Sequence, residues 1–472
     1  MRWSQKHYTN MIRSTNLDTP VTAIMLIAAL VLGGCFRPSE AVIELDPTRR
    51  HQTISGWEVT AQMTDKPVPG ARPAFWNEIY DRAVGEVGIN RIRLEVRSGA
   101  ESAGRNWDRY VAGEVPYAYW RSVRYATVND NADPNVIDWN GFDFSEMDRS
   151  VEVGLLPVRN RLLERGEKLF VNLCYVAFIG QIKNGNYLHE ESDEYAEFVL
   201  ATYLHMQRKY GFVPDAWEVI LEPDLGQWDG NEIGHAIVAA AARLKEHGFT
   251  PRFIAPSVTD MGNAARYIDA IAAVEGAMAH VIELSYHRYS GATDKNLADI
   301  VERAKRYNVD TSMLEWWFGK AGPETLHLDL KRGNNSAWQG RVLKTLFMEV
   351  DEKNPDNAVV TLQTDTRQNM QYFRYIRAGA HRIGAVSSNE RDLDPVAFVN
   401  PDGSHVVVVL ARNAGTLTIL GLPTGDYRVS YALDNESGRT PGVIHVMPGA
   451  SLRTEISGPG VLTVFAADAF ER

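Results

Sequence analysis

Between about residues 54 and 386, short apolar runs rich in β-branched residues alternate with longer stretches of helical spacing. That alternation predicts parallel strands joined by helices. Strands are expected to end near Trp57, Glu95, Tyr175, Glu222, Ser257, His287, Glu315 and Gln363, a set of eight that makes an α/β fold of the (β/α)8 barrel type the economical reading. Helices are expected over Glu194 to Tyr210, over Ile233 to His247 with Gly248 as the stop, and over Leu297 to Tyr307. After Ser387 the texture changes to alternating strands with turn punctuation: Val396 to Val399, the turn Asn400-Pro401-Asp402-Gly403, then Val406 to Leu410. Residues 387–472 therefore read as a β-sandwich appended to a barrel over 54–386. Residues 36–53, with the β-prone run Ala41 to Leu45, read as a segment pairing with that sandwich, because a lone strand needs neighbours for its backbone.

The first 35 residues read as an export signal. Arg2, Lys6 and Arg13 precede an apolar run from Val21 to Leu32 that is short for a membrane span, and Leu32-Gly33-Gly34-Cys35 follows. Those last four residues resemble the lipobox of bacterial lipoproteins, which implies a lipid on Cys35 and a protein tethered to the outer membrane or cell surface. Cys174 is then left without an intramolecular partner, so no structural disulfide is expected. The formal charge of −11 becomes −13 once Arg2, Lys6, Arg13 and Asp18 leave with the signal. No basic stretch offsets it, so nucleic acid is not an expected partner, and a neutral substrate fits better.

Two segments carry candidate chemistry. Trp217-Glu218-Val219-Ile220-Leu221-Glu222-Pro223 and Thr311-Ser312-Met313-Leu314-Glu315-Trp316-Trp317 each run apolar into one carboxylate, as a barrel strand does when it delivers an acid to the rim of a pocket. Two carboxyl groups facing each other across a sugar are the minimal equipment for glycosidic bond hydrolysis. Gly-x-Ser-x-Gly, His-Glu-x-x-His and the Gly-rich phosphate loop are missing from the sequence, and neither a cofactor nor a metal is expected. The excursion from about Arg97 to Ser145 carries Trp107, Tyr110, Tyr117, Tyr119, Trp120, Tyr125 and Trp139, aromatic faces suited to stacking on sugar rings. Trp228 after the fourth strand and Trp317 beside Glu315 are further candidates, and Tyr175 closes the third strand.

The chain resembles the clan A glycoside hydrolases, and family 30 in particular. The resemblance rests on His51-Gln52-Thr53-Ile54-Ser55-Gly56-Trp57, where an aromatic follows the glycine of the first strand, and on the two glutamate strands. It rests also on Tyr372 to Ile383 as the junction of last helix and sandwich, and on Asn400-Pro401-Asp402-Gly403 with its valine run. It implies a retaining glycoside hydrolase acting on β-linked glycans, with Glu222 as acid/base and Glu315 as nucleophile. It further implies that Tyr289, from a His287-x-Tyr289 pair, orients the nucleophile and that Arg93 keeps it ionised, with Arg91 the alternative by strand parity. At the eighth strand Gln363 stands where the clan places a tryptophan. Leu221 departs from the pattern, since an asparagine ordinarily precedes the acid/base and bonds the sugar 2-hydroxyl. Asn172 on the third strand is the candidate substitute, and a lapsed, lipid-anchored carbohydrate-binding protein is the alternative to an enzyme.

Overall fold

A computed structural model describes residues 39–61, 73–317, 321–348 and 358–470. Cys35 and the proposed signal lie outside the described residues. Among the described residues no helix is long and apolar enough to cross a membrane.

The chain enters through β1 (Ser39–Thr53) and then builds a closed parallel barrel from β2 (Gly56–Thr60), β3 (Arg91–Arg97), β4 (Phe170–Val176), β5 (Ala216–Glu218), β6 (Phe253–Asp260), β7 (Val281–Ser290), β8 (Asp310–Glu315) and β9 (Asn335–Trp338). Gly56 opens β2 at φ 152, a value that only glycine adopts readily, and a Cβ there would lie 2.9 Å from Asn90 Oδ1. The helices Ser192–Tyr210, Gly230–Glu246 and Asp294–Tyr307 occupy the three segments expected from periodicity. Each turns a buried face toward the strands, and Gly230–Glu246 begins with a capping box between Asp229 and Glu232.

Two strand assignments change. The eighth barrel strand is Asn335–Trp338, paired with β8 and β2, and not the run before Gln363. The eighth strand is short and lies between Gly333-Asn334 and Gly340, so it lacks the apolar run that marks its neighbours. Gln363 instead precedes the helix Thr364–Phe373, and its side chain donates to the carbonyls of Thr345 and Phe347. The fourth strand stops at Glu218, and Val219 to Glu222 continue as irregular extended chain held by Val219 N to Ile254 O, Leu221 N to Tyr175 O and Glu222 N to Ser257 O.

The sandwich comprises β10 (His381–Ser387), β11 (Leu393–Val399), β12 (His405–Ala411), β13 (Gly415–Leu420), β14 (Gly425–Leu433), β15 (Ser437–Arg439), β16 (Ile444–Val446), β17 (Leu452–Ile456) and β18 (Gly460–Ala466). It starts at His381, ahead of the position 387 read from sequence texture. Its path runs β15-β14-β18-β12-β11-β10-β1-β13-β17, with β1 antiparallel to β10 and parallel to β13. Inward residues from both ends of that path, among them Ile43, Leu417, Val407 and Val464, share one core. Sandwich and barrel interlock: Tyr375 stacks on Phe465 at 4.3 Å, and the buried Asn400 donates to Tyr375 O while accepting from Arg377 N.

Candidate active site

Glu315 is the last residue of β8 and lies 5 % exposed at the carboxyl end of the barrel, the end where βα loops build pockets. Glu222 reaches the same place from the irregular chain after β5, with its backbone left-handed at φ 50. A non-glycine residue in that region costs about 1–3 kcal/mol, which surrounding structure must offset. Here Glu222 N is bonded at 3.1 Å to the carbonyl of Ser257, and Ser257 N is bonded to Ser285 Oγ. The Asp224 carboxylate also accepts Thr259 N and Asp260 N at 2.8 and 3.0 Å. The acid is thus aimed by a clamp of loop backbone rather than by a strand ladder. One carboxylate oxygen of each glutamate and a ring nitrogen of His287 lie within 4.8 Å of one another.

The two acids have different companions. Glu315 Oε2 is held by the Arg93 guanidinium, and Glu315 Oε1 accepts the Tyr289 hydroxyl at 2.9 Å. Arg93 is fully buried; burial disfavours its charge, but Glu315 and Glu218 outweigh that and keep it protonated. Glu222 Oε1 meets His287 Nδ1 at 3.0 Å. Burial pushes the His287 imidazolium down, while the bond to Glu222 and the charges of Glu315 and Glu222 push it up, and the net direction is upward; Arg93 opposes the rise. A histidine raised in the folded state contributes stability below its unfolded value near 6.5 and loses it as pH climbs through the folded value. The stability gap between the protein and its His287→Gln variant is therefore expected to be wider at pH 6 than at pH 9 in urea unfolding, and an equal gap at both would remove this electrostatic account.

Two carboxylates and an imidazole are also a donor set for a divalent ion. Both Glu315 oxygens are already engaged, however, and the buried Arg93 cation lies against one of them, so charge favours carboxylate chemistry over metal ligation here. Sequence reading missed the layer beneath. Gln339, just past β9, accepts Trp317 Nε1 and Thr60 Oγ1 at 2.9 Å each and donates to Glu58 at 2.7 Å. The Arg93 guanidinium lies 5.2 Å over the Trp317 ring and Trp317 N donates to the Tyr289 hydroxyl oxygen at 3.1 Å, so Trp317 is fixed beside Glu315. Nothing in the polar Asn335–Trp338 segment advertised a strand, and Gln339 was lost with it.

Other candidates stand elsewhere. Trp57 is fully buried, bonded through Nε1 to Ile376 O and stacked on Phe373 at 4.6 Å, so it anchors the barrel to its last helix rather than facing a ligand. Trp228 is buried against Tyr175 and Tyr195, and the Tyr175 hydroxyl is hydrogen-bonded to the Tyr187 hydroxyl at 3.0 Å and to His189 Nδ1 at 2.7 Å. Asn172 is fully buried and donates to Glu218 at 2.8 Å, which commits it below the acids. Gln363 serves the backbone described above and does not join the acids. Leu221, 5 % exposed, packs with Tyr125, Cys174 and Val176, so its neighbours are matched to an apolar side chain. In the long excursion, Trp107, Tyr110, Tyr117 and Trp120 pack on each other, Tyr110 stacked on Trp120, with the Arg97 and Arg124 guanidinium groups over Trp120.

Residues 379–441 match the model of the glycosyl hydrolase family 30 beta sandwich domain. Solved structures extend the likeness in fold to the barrel. An endoxylanase of family 30 from Clostridium papyrosolvens covers 91 % of this chain and 100 % of its own, at 14 % identity and a TM-score of 0.62. The catalytic domain of a family 30 xylanase C from Talaromyces cellulolyticus gives 90 %, 100 %, 13 % and 0.64 in the same order. An endo-β1,6-glucanase gives 92 %, 95 %, 13 % and 0.59. The chain therefore shares the barrel-plus-sandwich fold of these solved structures.

Proposed function

We propose that the protein is a retaining glycoside hydrolase that cleaves β-glycosidic bonds of a glycan by double displacement, with Glu315 as nucleophile and Glu222 as acid/base. The observation that carries this reading is the separation of the two carboxylates, with oxygens within 4.8 Å. Inverting enzymes hold their carboxyl groups roughly 6.5–9.5 Å apart to admit a water, whereas retaining ones bring them to about 5–5.5 Å. Glu315, paired with Arg93 and oriented by Tyr289, attacks the anomeric carbon. Glu222 gives its proton to the departing oxygen and then takes one from the water that releases the glycosyl group. His287 positions Glu222 through the Nδ1 contact. The fold relatives include enzymes named for xylan and for β1,6-glucan, so those two polymers lead the substrate panel. Export and a lipid tether on Cys35 belong to the same reading and place the enzyme where polymers arrive from outside.

A second reading, a lapsed carbohydrate-binding protein, is favoured by one observation. Leu221 cannot donate to a sugar 2-hydroxyl, a contact worth several kcal/mol at the transition state. Activity separates the two readings. Turnover on one of the polymers, with the β-anomer as first product by NMR, is expected; binding without turnover across the panel, or an inverted first product, would exclude the proposal. The Glu222→Ala variant should lose most activity on natural glycans and keep more on aryl glycosides whose leaving group needs no proton. Equal losses on both would remove its assignment as the acid.

A further inference from the structure

Arg93 stands between two buried acids, and the pairing described above uses only one of them. Its Nη2 holds Glu315 Oε2, while its Nη1 faces Glu218 Oε1 at 3.8 Å. Arg93 and Glu218 are both fully buried. The gap is within ion-pair reach but about 1 Å longer than an ordinary N–H···O hydrogen bond. Glu218 Oε1 has no hydrogen-bond partner among the described residues, and Arg93 Nε likewise has none. The other oxygen, Glu218 Oε2, accepts Asn172 Nδ2 at 2.8 Å, so the carboxylate is fixed with its unsatisfied oxygen toward the guanidinium. Buried carboxylate oxygens are ordinarily satisfied. An open acceptor one short step from a buried cation suits a second state of the site.

Double displacement with Glu315 as nucleophile, the reading on which this rests, supplies that state. As the bond from Glu315 to the anomeric carbon forms, the bond from that carbon to the leaving oxygen breaks, its electron pair stays on the oxygen, and the Glu222 proton joins it. Glu315 is then a neutral ester. The Arg93 guanidinium keeps its charge throughout, and a buried cation stripped of its counter-ion is strongly destabilising. Glu95 Oε1 lies 3.7 Å from Nη2, but its side chain is 9 % exposed and so partly screened, whereas Glu218 is fully enclosed.

We propose that Glu218 is a positioning residue that shares Arg93 with Glu315 and takes the guanidinium over when Glu315 becomes glycosylated. In the free enzyme it keeps Arg93 from neutralising the nucleophile completely. In the covalent intermediate it supplies the counter-charge that Glu315 has given up.

The first arm of the test needs no substrate. Glu315→Gln puts a neutral side chain of similar shape where the ester forms, and thermal melts of the parent, both single variants and the Glu218→Gln, Glu315→Gln double variant close a cycle. Glu218→Gln is expected to lower the melting temperature by about 5 °C more in the Glu315→Gln background than in the parent. Equal shifts in the two backgrounds would overturn the proposal. A double variant that fails to fold while both single variants fold is the same coupling at its limit. If Glu218→Gln itself does not fold, Glu218→Asp, which draws the carboxylate back from Arg93, takes its place in the cycle.

The second arm is turnover of the dinitrophenyl β-glycosides of xylobiose and gentiobiose. With so good a leaving group, kcat reports hydrolysis of the covalent intermediate and kcat/KM its formation. Glu218→Gln should lower kcat/KM by about tenfold or more while kcat stays within about twofold, because only the step that discharges Glu315 loses its support. An equal fall in both would mark a merely structural role and overturn the proposal. A parent that turns over neither these glycosides nor the polymers removes the hydrolase reading and this role with it, whereas an active parent with additive melts removes this role alone.

Discussion

Glu315→Gly should lower kcat by on the order of 10⁴-fold or more, equivalent to about 5 kcal/mol of transition-state stabilisation. The glycine leaves no group to attack the anomeric carbon, while Glu222 still stands opposite with its proton. Added azide is expected to recover part of the rate on substrates with a good leaving group, because a small anion can enter the space the carboxylate vacated and lie beside Arg93. Folding should survive, since Arg93 keeps Glu218 at 3.8 Å and Glu95 at 3.7 Å as counter-charges. The measurement is kcat with and without azide on an aryl glycoside, with a melt to show that the variant is intact. A variant that turns over as fast as the parent would end the nucleophile assignment.

Glu283→Ala is expected to be the most damaging single change to stability, about 3–5 kcal/mol in urea unfolding. Arg91 donates from two nitrogens to the two Glu283 oxygens at 2.6 and 2.8 Å and from Nε to Glu58. All three side chains lie 2 % exposed or less. Taking away one carboxylate leaves a guanidinium in the barrel interior with one counter-ion and two stranded donors. Glu58 cannot fully replace it, since burial, the largest influence, and the nearby Glu218 already push its carboxyl upward, with Arg91 pulling it back. An unchanged unfolding midpoint would show that water or a side-chain shift reaches Arg91, contrary to the burial described.

Strand alternation carried much of this arrangement into view from sequence. It placed Glu315, Arg93, His287 and Tyr289 on strands whose ends converge, and parity favoured Arg93 over Arg91, which the fold turns to Glu58 and Glu283 instead. The sandwich was legible because valine runs and the Asn400-Pro401-Asp402-Gly403 turn are local signals. What alternation could not carry was tertiary. Asn335–Trp338 becomes a strand because the barrel needs an eighth neighbour, not because its residues favour one, so sequence texture puts the eighth strand before Gln363 and passes over Gln339. Trp57 is the aromatic that follows the first-strand glycine, and Phe373 of the helix behind it covers its ring.

β1 lies between β10 and β13, with Ile43 opposite both Ser387 and Ile419. Ribosomal synthesis thus releases this ribbon first and its partners more than three hundred residues later, so the nascent chain carries an unmatched edge throughout barrel assembly. Closing so wide a loop makes the sandwich a late, slow event. Truncating the gene before His381 to obtain a barrel alone would leave Ala41 and Ile43 bare and invite aggregation.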